Sequence, residues 1–356
     1  MGPSKVIRVG VVGAGSVAAL HLAALAKVRG IEVVAVTDVD SAAARATAER
    51  WSIPRVVDTL DGLLDLGVGA VHNCTPNRAH ADVDASVLRA GRHLLAEKPL
   101  AVTSGESREL VALEREAASK GVIAAVCFTR RHLPAIKRIR RRVVSGAHGA
   151  VQVVRAGYAQ DWLMRETDWN WRLDPAVAGP SATVADIGSH LFDVVEHLAG
   201  RRIVEVVADL RTLHATRLAG DPPVPRAVEN EDHAAVLGRL EDGVQIAVAL
   251  SQVTAGYRDN MSVELTLRDL TLAWSYEKPR TIRVGSPQKG FASETVSDRD
   301  GKAFTYAVRD FYTAVRHGDR GDLPLAGFSD GHHSVCLVEA ILESHRTRAW
   351  QRVDDV

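Results

Sequence analysis

Over the first third of the chain, short apolar runs alternate with stretches of helical periodicity. Residues 6–12 form a β-branched run of the kind that a parallel strand buried on both faces requires. Glycines follow it, then a helical stretch over 17–28. The same alternation predicts strands at 33–37, 70–74, 93–96 and 122–128, and helices at 41–50, 78–90 and 104–119. Asp38 closes the second strand, and Ser41 is the expected N-cap of the helix after it. This order predicts a doubly wound parallel sheet with right-handed crossovers.

The rhythm changes near residue 127. Strands are expected at 151–158, 203–211, 233–240, 244–253, 261–267 and 271–276, and short turns such as Glu241-Asp242-Gly243 predict antiparallel pairing. Helices are expected at 183–199, 302–317 and 329–346, with loops at 175–181 and at the proline-rich 217–230. The fold class is therefore an α/β Rossmann domain over 1–127, followed by an α+β domain over 128–356 with a large, mostly antiparallel open sheet.

With 356 residues, 46% of them hydrophobic, the chain can fill two cores. Lys+Arg and Asp+Glu are both 44, so the basic excess of a phosphate-neutralising nucleic-acid binder is missing. Residues 130–142 hold seven Arg or Lys, but Leu133, Ile136, Ile139 and Val143 recur at helical spacing, which makes the charges the wet face of an amphipathic helix. Cys74, Cys127 and Cys336 are too few and too scattered for a disulfide framework. No zinc-ligand spacing occurs, so no metal is expected. The N-terminal apolar run is too short for a signal peptide, and no run reaches membrane-spanning length, so a cytoplasmic protein is expected.

Three groups of residues carry candidate chemistry. Gly13-Ala14-Gly15 lies between the first strand and the first helix, where a dinucleotide pyrophosphate is bound. Gly13 permits the turn, Gly15 lets the backbone approach the ligand, and Ser16 and Val17 open the helix whose free N–H groups face it. Asp38 can accept from ribose hydroxyls and repel a 2′-phosphate, which favours NAD over NADP. The bland reading is an ordinary glycine turn followed by an exposed acid. The second group, Thr75-Pro76-Asn77 and Glu97-Lys98-Pro99, follows strands at the carboxyl edge of the sheet. Lys98, held extended by the proline after it, would point into the cleft and stabilise an alkoxide. Glu-Lys-Pro is also a common exposed turn. In the third, Asp186 and His190 stand four apart on an expected helix, as an orienting carboxylate and a base. An outward-facing polar pair would have the same spacing.

These motifs converge on one family. The chain resembles the Gfo/Idh/MocA sugar and cyclitol dehydrogenases over nearly its whole length. The resemblance is carried by Gly13-Ala14-Gly15, Asp38, Thr75-Pro76-Asn77 with His80, Glu97-Lys98-Pro99, Trp171-Arg172 and Asp186-Ile187-Gly188-Ser189-His190. It implies NAD or NADP as cofactor, Lys98, Asp186 and His190 as catalytic residues, and a cis Lys98–Pro99 bond. It also implies that Cys74, His80, Glu97, Trp171 and Arg172 belong to the cofactor site, and that a homodimer or homotetramer forms through the open sheet face. The glycine run common before the catalytic helix is here Gly179-Pro180-Ser181-Ala182, so the substrate loop departs from the family pattern.

The expected reaction is NAD-dependent oxidation of a secondary ring hydroxyl of a sugar, aminosugar, glycoside or cyclitol, with hydride transfer to C4 of nicotinamide. His190 is the expected base and Lys98 the alkoxide stabiliser, or the reverse. Asp161, Trp162, Arg165, Trp169 and Arg172 are expected to line the substrate mouth with Lys98, Asp186 and His190, and at least one of the tryptophans is expected to fill core instead. A non-catalytic NAD sensor on the same fold is the alternative.

Overall fold

The computed structural model describes residues 6–298 and 301–354. They divide into two units. One comprises the described residues of Met1–His132 and Asp300–His332, the other those of Leu133–Arg299 and His333–Val356.

In the first unit, β1 (Ile7–Val12), β2 (Ile31–Thr37), β3 (Ala70–Asn73), β4 (His93–Ala96) and β5 (Ala124–Val126) form one sheet in the order β2-β1-β3-β4-β5. Every pairing is parallel. The β-branched runs fill both faces. Val9 and Val11 join one core cluster with Leu22 and Leu25, and Val12, Val71 and Leu94 join another with Leu110. The chain turns to opposite sides of β1 for β2 and β3, so the carboxyl ends of β1 and β3 flank a topological switch point, where doubly wound sheets bind ligands.

Two expectations are corrected here. The helix Ala303–His317 belongs to this unit, so the second domain does not run unbroken over 128–356. Val308, Phe311 and Tyr312 complete the core cluster around Val9 and Val11, and the apolar stripe of that helix exists to fill this gap. The helix Ser41–Trp51 is capped by Asp40, whose Oδ1 accepts from the amides of Ala42 and Ala43 at 2.9 and 3.2 Å, and not by Ser41.

The second unit holds β6 (Val151–Ala159), β7 (Ile203–Arg211), β8 (Thr216–Ala219), β9 (Val224–Ala227), β10 (His233–Leu240), β11 (Gln245–Ser251), β12 (Asn260–Leu267), β13 (Thr271–Ser275), β14 (Thr281–Ser286), β15 (Gly290–Thr295) and β16 (Gln351–Arg352). Nine of these make a sheet in the order β15-β14-β13-β12-β6-β11-β10-β7-β16. Its pairings are antiparallel except β6 with β11. The helix Ser189–Ala199 packs against β6 and buries Leu191, Val194, Val195 and Leu198. The helix Pro134–Val144 buries Ala135, Ile136 and Ile139, while Arg142 reaches Glu294 at 3.0 Å.

The expected loop at 217–230 contains the hairpin β8–β9 instead. Pro225 faces Leu218 there, and a proline is tolerated because a two-stranded ribbon leaves half its amides unpaired. Within the expected loop at 175–181, Pro175–Ala178 forms one helical turn, with Asp174 as its cap. Among the described residues no helix is long and apolar enough to cross a membrane.

Candidate active site

The nucleotide edge of the first unit is built by close backbone approach. Gly13 has φ +91°, and a Cβ there would stand 2.5 Å from the Cys74 carbonyl oxygen. Only glycine lets β1 and β3 come this close. A Cβ on Gly15 would meet nothing within 4 Å, so that side of the loop is open for a ligand. The helix Ser16–Leu25 starts at Gly15 with no side-chain cap and no acid in its first turn, which keeps its N–H groups and positive end available to an anion. Asp38 ties this loop down. Its Oδ2 accepts from the Ala14 amide at 2.6 Å and its Oδ1 from the Asp40 amide at 2.8 Å. A carboxylate has about four lone-pair sites, so both oxygens keep capacity for ribose hydroxyls. These features fit a dinucleotide.

The two loops after β3 and β4 are tied together by His80. Its Nδ1 lies 2.6 Å from the Pro99 carbonyl oxygen and its Nε2 lies 2.8 Å from that of Thr75. With both ring nitrogens facing backbone and the residue 1% exposed, His80 shapes the loops from beneath. The Thr75 hydroxyl and amide both donate to Asn73 Oδ1, and Asn73 Nδ2 donates to the buried Asp84. Lys98 is half-buried at the end of the β4 loop; its amide donates to Glu97 Oε2 at 3.2 Å, and the Lys98–Pro99 bond is cis.

Beneath Lys98 runs a buried chain that the sequence reading missed. Glu97 Oε1 lies 2.8 Å from His21 Nε2, His21 Nδ1 lies 2.7 Å from His72 Nδ1, and His72 Nε2 lies 2.9 Å from the Tyr312 hydroxyl. Burial opposes charge on His21, but the groups packed around it, with the Glu97 carboxylate at 2.8 Å among them, outweigh burial, so its basicity is well raised. Burial and the charge of His21 both push His72 well down. The protons follow. His21 is an imidazolium donating from both nitrogens, and His72 is neutral, accepting at Nδ1 and donating to Tyr312. Burial pushes the Cys127 thiol up to about 12, so it stays protonated. The donor atoms of His21, Glu97 and Cys127 lie within 4.8 Å of one another. The 2.8 Å His21–Glu97 contact is nonetheless that of a hydrogen bond, shorter than the roughly 3.3 Å between two ligands of a tetrahedral zinc.

This pair makes stability depend on pH. Burial pushes the Glu97 carboxyl up, but the bond to His21 more than reverses this and leaves it below its ordinary 4.5. The ionised carboxylate therefore stabilises the fold fully above about pH 4.5, and loses that contribution as pH falls through its lowered value. Protonated His21 stabilises fully below its ordinary 6.5, and loses it as pH climbs through its raised value. The stability gap between wild type and Glu97→Gln should be widest between these limits and narrow on both sides. Urea unfolding across pH measures it; a gap unchanged into acid would contradict the assignment.

The second unit presents the other candidate residues. Val184–Gly188 is a turn of π-helix running into the α-helix Ser189–Ala199, so Asp186 sits on a wider turn than expected, a form that recurs at functional sites, and His190 sits in the first turn of the α-helix after it. Asp186 Oδ1 accepts from Arg172 Nε at 3.3 Å and Oδ2 from Gln252 Nε2 at 2.9 Å. Arg172 also lies 4.5 Å from the centre of the Trp171 ring, so this unit holds Arg172 against Asp186. Trp162 and Trp169 pack against the cluster of Leu163, Leu173, Ala182 and Val228, which makes both partly core. The Trp162 indole donates to Gln160 Oε1 at 2.7 Å, and Trp169 lies under the Arg226 guanidinium at 5.4 Å. Asp161 is half-buried, and Arg165 is exposed with its amide held by Asp168.

Three residues of this network were not singled out from sequence as site residues. Gln252 is 1% exposed. Glu231 accepts from the Ser181 hydroxyl at 2.6 Å and the Val184 amide at 2.8 Å, anchoring the start of the π turn, and burial pushes its carboxyl up. Arg217, fully buried, donates to the carbonyls of Arg165 and Asp168 and pairs with Asp232. An acid or amide next to a strand end carries no periodic signal that separates it from an ordinary turn residue.

Residues 7–127 match the family model described as an oxidoreductase family with an NAD-binding Rossmann fold, and residues 136–269 match the GFO/IDH/MocA C-terminal domain. The chain is 30% identical to the 1,5-anhydro-D-fructose reductase of Ensifer adhaerens, covering 96% of each chain. It is 25% identical to the levoglucosan dehydrogenase of Pseudarthrobacter phenanthrenivorans, covering 82% of each. The crystal structure of an oxidoreductase domain protein from Kribbella flavida superposes with a TM-score of 0.92 at 27% identity, over 98% of this chain and 100% of that one.

Proposed function

Because this chain belongs to the Gfo/Idh/MocA family of oxidoreductases, we propose that it oxidises a secondary ring hydroxyl of a sugar, aminosugar, glycoside or cyclitol, or reduces the corresponding ketone. The observation that carries this reading is Lys98 at the carboxyl edge of β4, in the same sheet as the open, uncapped glycine loop after β1. When bound, NAD supplies the hydride acceptor, at C4 of its nicotinamide. Gly13, Gly15, Ser16 and Val17 cradle the pyrophosphate, Asp38 takes the ribose, and Cys74, Thr75, Pro76 and Asn77 form the wall after β3, which His80 braces from beneath. Trp171 and Arg172 serve the cofactor side of the second unit. Lys98 donates to the substrate hydroxyl oxygen and stabilises alkoxide charge as it develops. His190 takes the hydroxyl proton, and Asp186 orients it. Asp161, Trp162, Arg165 and Trp169 hold the sugar, the rings against its C–H faces. The names of the relatives, a 1,5-anhydro-D-fructose reductase and a levoglucosan dehydrogenase, support a carbohydrate.

A panel of polyols, aminosugars and glycosides with NAD and NADP, read at the NADH absorbance band, tests this. NAD should be preferred by about 100-fold in kcat/KM, because a 2′-phosphate beside Asp38 and Asp40 costs several kcal/mol of like-charge repulsion. Equal use of NADP would overturn the role of Asp38. Cofactor binding without turnover on any substrate would favour a sensor.

The outer face of the large sheet favours self-association. Ala235, Leu237, Ala247 and Ala249 stand exposed on β10 and β11, a patch of small and apolar side chains bordered by Arg239 and Gln245. A homodimer or homotetramer covering it should appear in sedimentation velocity, and Leu237→Asp should shift it to monomer. A monomeric wild type would contradict this.

A further inference from the structure

The amide of Gln252 sits at the centre of the polar network around Asp186. Its Nε2 lies 2.9 Å from Asp186 Oδ2 and 3.4 Å from Gln160 Oε1, and its Oε1 lies 2.9 Å from the Thr183 hydroxyl. The chemistry fixes which way this amide points. A carboxylate only accepts, so the NH2 must face Asp186, the oxygen must face Thr183, and the Thr183 hydroxyl must donate. Gln252 is 1% exposed and Thr183 is fully buried, so no water competes for these bonds. Both Asp186 oxygens are thereby directed, one by the Arg172 guanidinium and one by a neutral amide from the end of β11. The same amide reaches Gln160, which holds the Trp162 indole. The other charged groups facing this network are Asp259, which accepts from Gln160, and Glu231, which anchors the Val184 amide.

We propose that Gln252 is a positioning residue for this active site: it sets the direction of the Asp186 carboxylate and couples it to the Trp162 side of the substrate mouth. Gln252 does not touch the reacting atoms. It acts by removing the freedom of Asp186 to rotate about its side chain, and a misplaced catalytic group can cost about 100-fold in rate. A neutral donor suits this position. A second cation there would compete with Arg172, and a carboxylate would repel Asp186.

This rests on the proposed dehydrogenase reading, and the experiment separates the two. Wild type, Gln252→Met and Gln252→Glu are assayed with NAD and the best substrate of the panel, and NADH binding is measured by fluorescence. Gln252→Met keeps the volume and loses the donor. It should lower kcat roughly 10- to 100-fold with little change in NADH affinity. Gln252→Glu should in addition move the acid limb of the kcat–pH profile to higher pH, because two adjoining carboxylates resist ionising together. A loss of packing alone would lower the amount of folded enzyme without moving that limb. Should Gln252→Glu fail to fold, the kcat of folded Gln252→Met decides. An active wild type beside variants with unchanged kcat and unchanged pH profile would overturn the proposal. A wild type that oxidises nothing would overturn the dehydrogenase reading itself.

Discussion

Lys98→Ala is expected to lower kcat by about 1,000-fold or more while NADH still binds. The lysine ammonium is the proposed donor to the oxygen that gains charge as the hydride leaves, and removing one such donor typically costs 10²–10³-fold; loss of proton transfer adds to this. The loop that carries it is fixed independently of its side chain. His80 holds the Pro99 carbonyl, and Glu97 is held by His21, so the alanine variant keeps its backbone. The pyrophosphate cradle at Gly13 and Gly15 lies on a different loop. A stopped-flow assay under saturating substrate, with NADH titration in parallel, measures both quantities. Wild-type turnover in the variant would remove Lys98 from the mechanism.

Asp232→Ala should produce the largest loss of stability. The Arg217 side chain is 0% exposed and that of Asp232 1%, with a 3.3 Å bond between them. Asp232 also accepts from the amides of Leu213 and His214, and Arg217 donates to the carbonyls of Arg165 and Asp168. Removing the carboxylate leaves a buried guanidinium without its counter-charge, a change that costs ~3–5 kcal/mol. The double variant Arg217→Met with Asp232→Leu should lose less than Asp232→Ala alone, because it buries no unpaired charge. Urea unfolding of the three proteins gives the comparison. A loss under about 1 kcal/mol for Asp232→Ala would mean that the pair is dispensable. Because Arg217 braces the segment that carries Arg165 and Trp169, the same variant should also raise KM for substrate.

Much of this architecture was legible before any coordinates. The parallel sheet was readable because strands buried on both faces are continuous apolar runs, and because the glycine loop can only work between a strand and a helix. The cleft edge was readable for the same reason, since each candidate loop follows a strand. What failed had physical causes. The stripe on the helix Ala303–His317 says that one face is buried but not which core receives it, and the answer lay some 300 positions upstream at Val9 and Val11. The hairpin β8–β9 was hidden by its prolines, which normally argue against a strand. Asp186 and His190 are four apart in sequence whether or not Asp186 sits on a π turn, so spacing could not reveal that turn. The chain His21–Glu97, with His72 and Tyr312 behind it, joins four distant segments and leaves no local pattern at all. Gln252 is one uncharged residue at a strand end, and its bond to Asp186 shows what it does there.

The proposed reaction moves a hydride from a ring carbon to nicotinamide. It is tested most directly by supplying a substrate deuterated at its carbinol carbons together with NAD, and recording the NMR spectrum of the reduced cofactor. Deuterium is expected at C4 of the nicotinamide, with a ketone at one ring position of the sugar. Reduced cofactor without deuterium, or none at all from enzyme that binds NAD, would contradict it.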